Sequence, residues 1–165
     1  MNDKKVAWLL RTAIIIVGLF GLTVCAFWWP FSISLSVIGI DMGLNAMTQQ
    51  QMVEFWLQFA FYQAVSLPCF VLLVFAWLVT NRIHNGQFFA LSTARLINVA
   101  ALILYIDLGV FLIGNLVFMF LEWNTFAIIY YFLAAIGFAV AICMSIIAYF
   151  VKKSADLKEE TEGIV

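Results

Sequence analysis

Apolar residues run through this chain in four long blocks, at about 6–29, 55–79, 96–121 and 126–151, divided by shorter polar or mixed stretches. A helix crosses a hydrocarbon core with about 20 predominantly apolar residues, and each block reaches that length. None alternates apolar and polar residues as a strand of a membrane barrel must. Inside lipid the backbone has no water to bond, so an unbroken apolar block closes its hydrogen bonds within itself as a helix. The pattern therefore predicts an all-α membrane protein: one domain over 1–165, a four-helix transmembrane bundle made of two antiparallel hairpins.

The connections refine this outline. Lys4 and Lys5 ahead of the first block resemble the start of a signal peptide, but the apolar core is too long and no small-x-small site follows it, so a retained anchor is expected. Val24 before Cys25 does not suit a lipid-acceptor cysteine. Pro30 is expected to end the first helix, because it has no N–H to continue the ladder. In the external loop 30–54, FSISLSV alternates as a short strand would, or else extends the first helix or lies in the interface. GIDMG has helix-dimer spacing outside a clean apolar span, and Thr48 is a candidate cap for the second helix. The segment reads as a connector before it reads as a sensor.

Pro68 should bend the second helix, with Ser66 near enough to serve the carbonyl it releases. A short turn at Glu122–Thr125 makes the third and fourth helices antiparallel neighbours. Ala134, Gly137, Ala141, Ser145 and Ala148 recur at spacings of three and four, a small-residue ridge suited to close packing.

Composition agrees and charge adds a direction. The 165 residues are 66% hydrophobic and only 10% charged, against about 25% charged in soluble domains. The net charge of −1 matters less than where the charges lie. All eight basic residues fall on one side of the map: Lys4, Lys5, Arg11, then Arg82 and Arg95 in the middle loop 80–95, then Lys152, Lys153 and Lys158 in the tail 152–165. Asp41, Glu54 and Glu122 occupy the other side. Lys and Arg collect in cytoplasmic loops, so both termini and the middle loop are expected in the cytoplasm. The six tryptophans agree, with Trp8 and Trp77 at inner ends and Trp28, Trp29, Trp56 and Trp123 at outer ends.

Few residues carry candidate chemistry. Asp107 lies near the middle of the third helix, where a carboxylate costs at least about 2.5–3.5 kcal/mol on insertion scales. It should face the interior, on one face with Ala100, Leu104, Phe111 and Gly114. It is either a proton or cation site or a protonated acid bonded across the bundle to a carbonyl, Tyr or Ser. Arg11 is expected to snorkel inward rather than pair with it. Thr23, Gln63 and Asn115 share a depth near the outer surface and could form a hydrogen-bonded layer. His84 has no second ligand at metal spacing, and Cys25, Cys69 and Cys143 lie inside helices. No phosphate loop, dinucleotide fingerprint or nucleophile elbow is present. Neither an enzyme, nor a cofactor, nor a metal, nor direct nucleic-acid binding is expected.

RIHNGQFFALSTARLINVAAL, across the middle loop, and SADLKEETEGIV, in the tail, are similar to two motifs of a bacterial family of four-span membrane proteins, the YoaS-like group. The motifs are a Gly-containing turn with a Phe before the third span, and an acidic tail of the form A-x-L-K-E-E. The chain departs from the pattern after Phe89: Ala90 stands where the family usually has Ser or Thr, leaving Ser92 or Thr93 to cap the third helix. The usual Glu–Asn and extra basic residues are also missing.

The resemblance implies a four-span architecture and a setting beside a small helix-turn-helix DNA-binding regulator. It points to a regulatory or interaction protein in the lipid bilayer of the bacterial inner membrane. Its cytoplasmic face would comprise Arg82, His84 and Arg95 of the loop with Leu157, Glu159, Glu160 and Glu162 of the tail. The glutamates offer an anionic patch to a basic partner, although an acidic tail is often merely solvated. The alternatives are a small transporter or channel subunit that uses Asp107 as a homo-oligomer, and a structural membrane scaffold.

Overall fold

The computed structural model describes residues 3–37, 49–123 and 127–162, which are helical apart from two short turns. α1 spans Asp3–Val37, α2 Gln49–His84, α3 Leu91–Phe120 and α4 Ala127–Glu162. All four contain stretches long and apolar enough to cross a membrane. At most 22% of any of those stretches is buried inside the molecule. Phe20 and Phe120 keep 70% and 80% of their surface exposed. Water would not tolerate so much open apolar surface, so lipid is the solvent. This is a multi-pass membrane protein with four helices.

The helices run well past the predicted limits. α1 continues through Pro30 to Val37, so FSISLSV is helix rather than strand and the external loop does not begin at residue 30. α2 starts at Gln49 and ends at His84 instead of covering 55–79, and α3 starts at Leu91 rather than 96. α4 carries the tail expected at 152–165 onward as helix to Glu162. Hydropathy marks where hydrocarbon stops, whereas a helix goes on wherever residues such as Gln, Glu, Lys and Ala favour it. The middle loop shrinks accordingly from 80–95 to residues 85–90. Thr48 and the GIDMG stretch lie outside the described residues.

Two chain reversals share one hydrogen-bond pattern. After α2, the Gln87 N–H donates to the Arg82 carbonyl (2.8 Å) and the Gly86 N–H to that of Ile83 (3.1 Å). Gly86 has φ +69°, the left-handed conformation this helix ending requires. After α3, the Trp123 N–H donates to the Phe118 carbonyl (2.9 Å) and the Glu122 N–H to that of Met119 (3.0 Å). Here the left-handed residue is Glu122, at φ 60°. Trp123 also stacks on Phe118, ring centroids 6.0 Å apart, the apolar contact that accompanies this motif. α3 begins at Ala90, which has extended φ and ψ and gives no side-chain cap. Ser92 and Thr93 do not cap it. The Thr93 hydroxyl donates backward to the Gln87 carbonyl at 3.1 Å, and Arg82 bonds Ser92, so both tie the start of α3 to the end of α2.

Among the described residues, backbones approach only between successive helices: α1 with α2, α2 with α3, and α3 with α4. All three pairs are antiparallel, as Arg11 with Asn81, Phe61 with Gly114, and Leu108 with Gly137 show. The first turn of α1, the 85–90 turn and the far part of α4 therefore share one end of the molecule. The small-residue ridge of α4 meets α3: Ala134, Ala141 and Ala148 are buried with Ala94, Ile97, Ala101 and Leu108. A Cβ on Gly137 would sit 2.6 Å from the Leu108 side chain, so the helices close on the missing atom.

The two reversals make a paired prediction. Gly86→Ala should destabilise the protein by roughly 1 kcal/mol, since Ala is strained at positive φ. Glu122→Gly should stabilise it, or at least cost nothing, by relieving the same strain. Reversible unfolding in mixed micelles measures both, and equal destabilisation by the two changes would contradict the assignment.

Candidate functional site

The seam between α2 and α3 holds the buried polar residues of the membrane interior. Near the end at Trp123, Asn115 is completely buried. Its amide donates to the Phe111 carbonyl of its own helix at 2.7 Å, and its Oδ1 accepts from the Tyr62 hydroxyl of α2 at 2.9 Å. The Tyr62 ring stacks on Tyr130 of α4, centroids 5.3 Å apart, so one hydroxyl and one ring join three helices. Beside Asn115, Gly114 makes room for Phe61, whose ring would lie 2.1 Å from a Cβ at that position. Phe61 then meets Phe118 edge-on at 5.2 Å. Closer to that end, the Gln58 amide donates to the Trp123 carbonyl at 2.8 Å and fastens the turn after α3 to α2.

The expected outer layer of Thr23, Gln63 and Asn115 does not assemble. Thr23 is exposed on α1 and donates to the Leu19 carbonyl of its own helix. Among the described residues the backbone of α1 approaches only α2, and Thr23 shows no bond to α3. Gln63 contributes its backbone carbonyl to the Ser66 hydroxyl, at 2.7 Å. That bond also corrects the role given to Ser66. The carbonyl Pro68 cannot serve belongs to Ala64, four residues before it, while the hydroxyl reaches Gln63. Tyr62 and Gln58 are the partners that sequence reasoning passed over. An aromatic among seventeen phenylalanines and a glutamine at a helix end carry no distinguishing pattern.

Asp107 lies about two helical turns inward from Asn115 on α3, only 9% exposed. It lines a recess of about 330 Å³ whose other side is α2, including Ala64 and Pro68. The rest of the lining is apolar, Phe61 and Val65 from α2 and Ile103, Ile106 and Val110 from α3. Among the described residues no Tyr, Ser or carbonyl bonds the Asp107 carboxyl, so the bridged acid of one reading is not what forms. Asp107 and the Pro68 turn of α2 line one cavity instead. Intramembrane carboxylates are among the groups that hold small cations and protons.

The end that gathers both helix termini carries the remaining candidates. Arg11 does not reach out to the surface. Its Nη2 donates to Asn81 Oδ1 at 2.8 Å and its guanidinium lies 5.6 Å over the Trp77 ring, both on α2. Arg82 is half-buried against Ser92, and His84 and Arg95 are exposed. On α4, Val151 and Ala155 are buried, whereas Leu157 is 55% exposed and Glu159 and Glu160 are exposed. Glu162 closes the helix. Arg82 serves the α2–α3 reversal, and Leu157, Glu159 and Glu160 lie exposed near the end of α4.

No family model, curated protein or solved structure matches this chain.

The Tyr62–Asn115 bond and the Gly114 contact predict distinct costs. Tyr62→Phe should lose about 0.6–1.7 kcal/mol, the range for hydrogen bonds between membrane helices. Gly114→Ala should lose about 1–3 kcal/mol, because Phe61 must move off the α3 backbone. Combining Gly114→Ala with Phe61→Leu should recover part of that loss in micelle unfolding. Additive losses in the double variant would show that the two residues do not meet.

Proposed function

We propose that this is a regulatory or interaction protein of the bacterial cytoplasmic membrane, with both termini and the 85–90 turn in the cytoplasm, and that α4 presents a soluble partner with its docking surface. The carrying observation is that α4 stays helical past the membrane. Its 36 residues span about 54 Å at 1.5 Å per residue, against a hydrocarbon core of about 30 Å. Val151 and Ala155 fix the base of the projection, and Leu157, Glu159 and Glu160 are displayed beyond it. An apolar residue flanked by carboxylates on a rigid helix fits a basic surface with a shallow apolar depression. A small helix-turn-helix regulator, the neighbour implied by the likeness to the YoaS-like family, would meet this helix with its basic DNA-binding surface. The basic residues gathered at this end support a cytoplasmic position.

Asp107 favours a second reading, a small ion-conducting or proton-coupled subunit. Asp107 lines a recess shared with Ala64 and Pro68 of α2. Four spans are few for a complete pathway, so the complete pathway would be an oligomer.

Two experiments separate the readings. Removing Leu157–Val165 should abolish co-purification of the adjacent regulator, and Glu159→Lys with Glu160→Lys should weaken it at least tenfold at low salt. Full recovery with the truncated protein would refute the docking role. In reconstituted vesicles, Asp107→Asn should remove any proton-driven ion flux shown by the native protein, and absence of flux in both forms eliminates the second reading.

A further inference from the structure

Neither reading uses the groove between the first turns of α3 and the far part of α4. It has a volume of about 550 Å³ and lies at the end where the basic residues gather. Arg95 contributes from α3 and Lys152 from α4, one cation on each wall. Lys152 is the first charged residue after the apolar run of α4, and Arg95 lies one turn into α3. Both therefore sit where hydrocarbon gives way to headgroups. Asn98 lines the groove one turn deeper than Arg95, and Asp156 one turn further out than Lys152. Two cations against one carboxylate leave the groove positive. Ala94 and Ala148 pack together at its floor beside Ser145, with Leu91 and Tyr149 on the flanks.

The charged side chains thus lie toward the helix ends, and the lining one turn deeper is Asn98, Ala148 and Tyr149, with Ser145 a turn further in. We propose that the groove seats the headgroup of an anionic phospholipid. Arg95 and Lys152 take the phosphodiester, Asn98 donates to an adjoining oxygen, and the glycerol and upper methylenes lie against Ala148 and Tyr149. A basic pocket between membrane helices at this level suits such a headgroup. A free inorganic anion would engage the cations but leave the apolar flanks uncovered. Asp156 faces the same groove and opposes anion binding, so its charge gives the proposal a sign that can be reversed.

Native mass spectrometry of the full chain released from vesicles provides the test. The vesicles are either pure phosphatidylcholine or phosphatidylcholine mixed with phosphatidylglycerol, and inorganic phosphate alone serves as the free-anion probe. Phosphatidylglycerol should be retained in preference to phosphatidylcholine. Arg95→Gln and Lys152→Gln should each reduce retention about fivefold, and Asp156→Asn should raise it by a similar factor. Arg95→Lys, which keeps the charge, should retain most of the binding, and the melting temperature in zwitterionic detergent verifies that each variant is folded. Equal retention of both lipids, or retention unmoved by all three charge changes in folded protein, would overturn the proposal. So would phosphate raising the melting temperature as much as phosphatidylglycerol does, since the site would then read an anion and not a lipid.

Discussion

A backbone in hydrocarbon must find all its hydrogen-bond partners within the chain, and each element of this protein answers to that constraint. It explains why helices are the only described regular structure and why α2 passes through Pro68 without stopping. An interior proline leaves one carbonyl unserved, whereas ending the helix there would leave several. It also explains why the chain reverses after His84 and after Phe120 with the same pair of returning N–H bonds. Burial of apolar surface adds little between helices in lipid, so their association depends on contact at short range. The contacts at Gly114 and Gly137 supply it: in both places a side chain of the neighbouring helix occupies the volume where a Cβ would be.

The one-dimensional pattern carries depth faithfully and direction poorly. The four helices, their antiparallel order and the α4 ridge from Ala134 to Ala148 are legible, because each follows from runs and spacings along a single segment. The likeness of Gly86 to a turn glycine is legible for the same reason. Helix ends are not, since hydropathy falls at the edge of the hydrocarbon while α1, α2 and α4 continue beyond it. Nor is the choice of neighbour. Thr23 bonds its own helix, whereas Asn115 acquires Tyr62 as a partner across the bundle, because among the described residues the backbone of α1 approaches α2 and not α3. Glu122 in a conformation suited to glycine leaves no trace in composition or periodicity.

Asn115 and Asp107 make an instructive pair on α3. Both are buried and both are turned toward α2. Opposite Asn115, α2 offers Tyr62 and closes the gap with Phe61. Opposite Asp107, it offers Ala64 and Pro68, which cannot fill the space, and a recess remains. The same interface is therefore settled at one depth and open at another. The difference comes from which residues of α2 arrive there, not from the polarity of α3.

α1 stands apart from this interlocking. Among the described residues its backbone approaches α2 alone, and at Gly18 and Gly21 added Cβ atoms would find α2 side chains at 3.5 Å and 3.9 Å. Arg11, near the start of α1, adds a directional contact by donating to Asn81 and lying over Trp77. An anchored side chain of this kind resists lengthwise sliding of a helix of 35 residues, which contacts of plain van der Waals type at the two glycines do little to oppose.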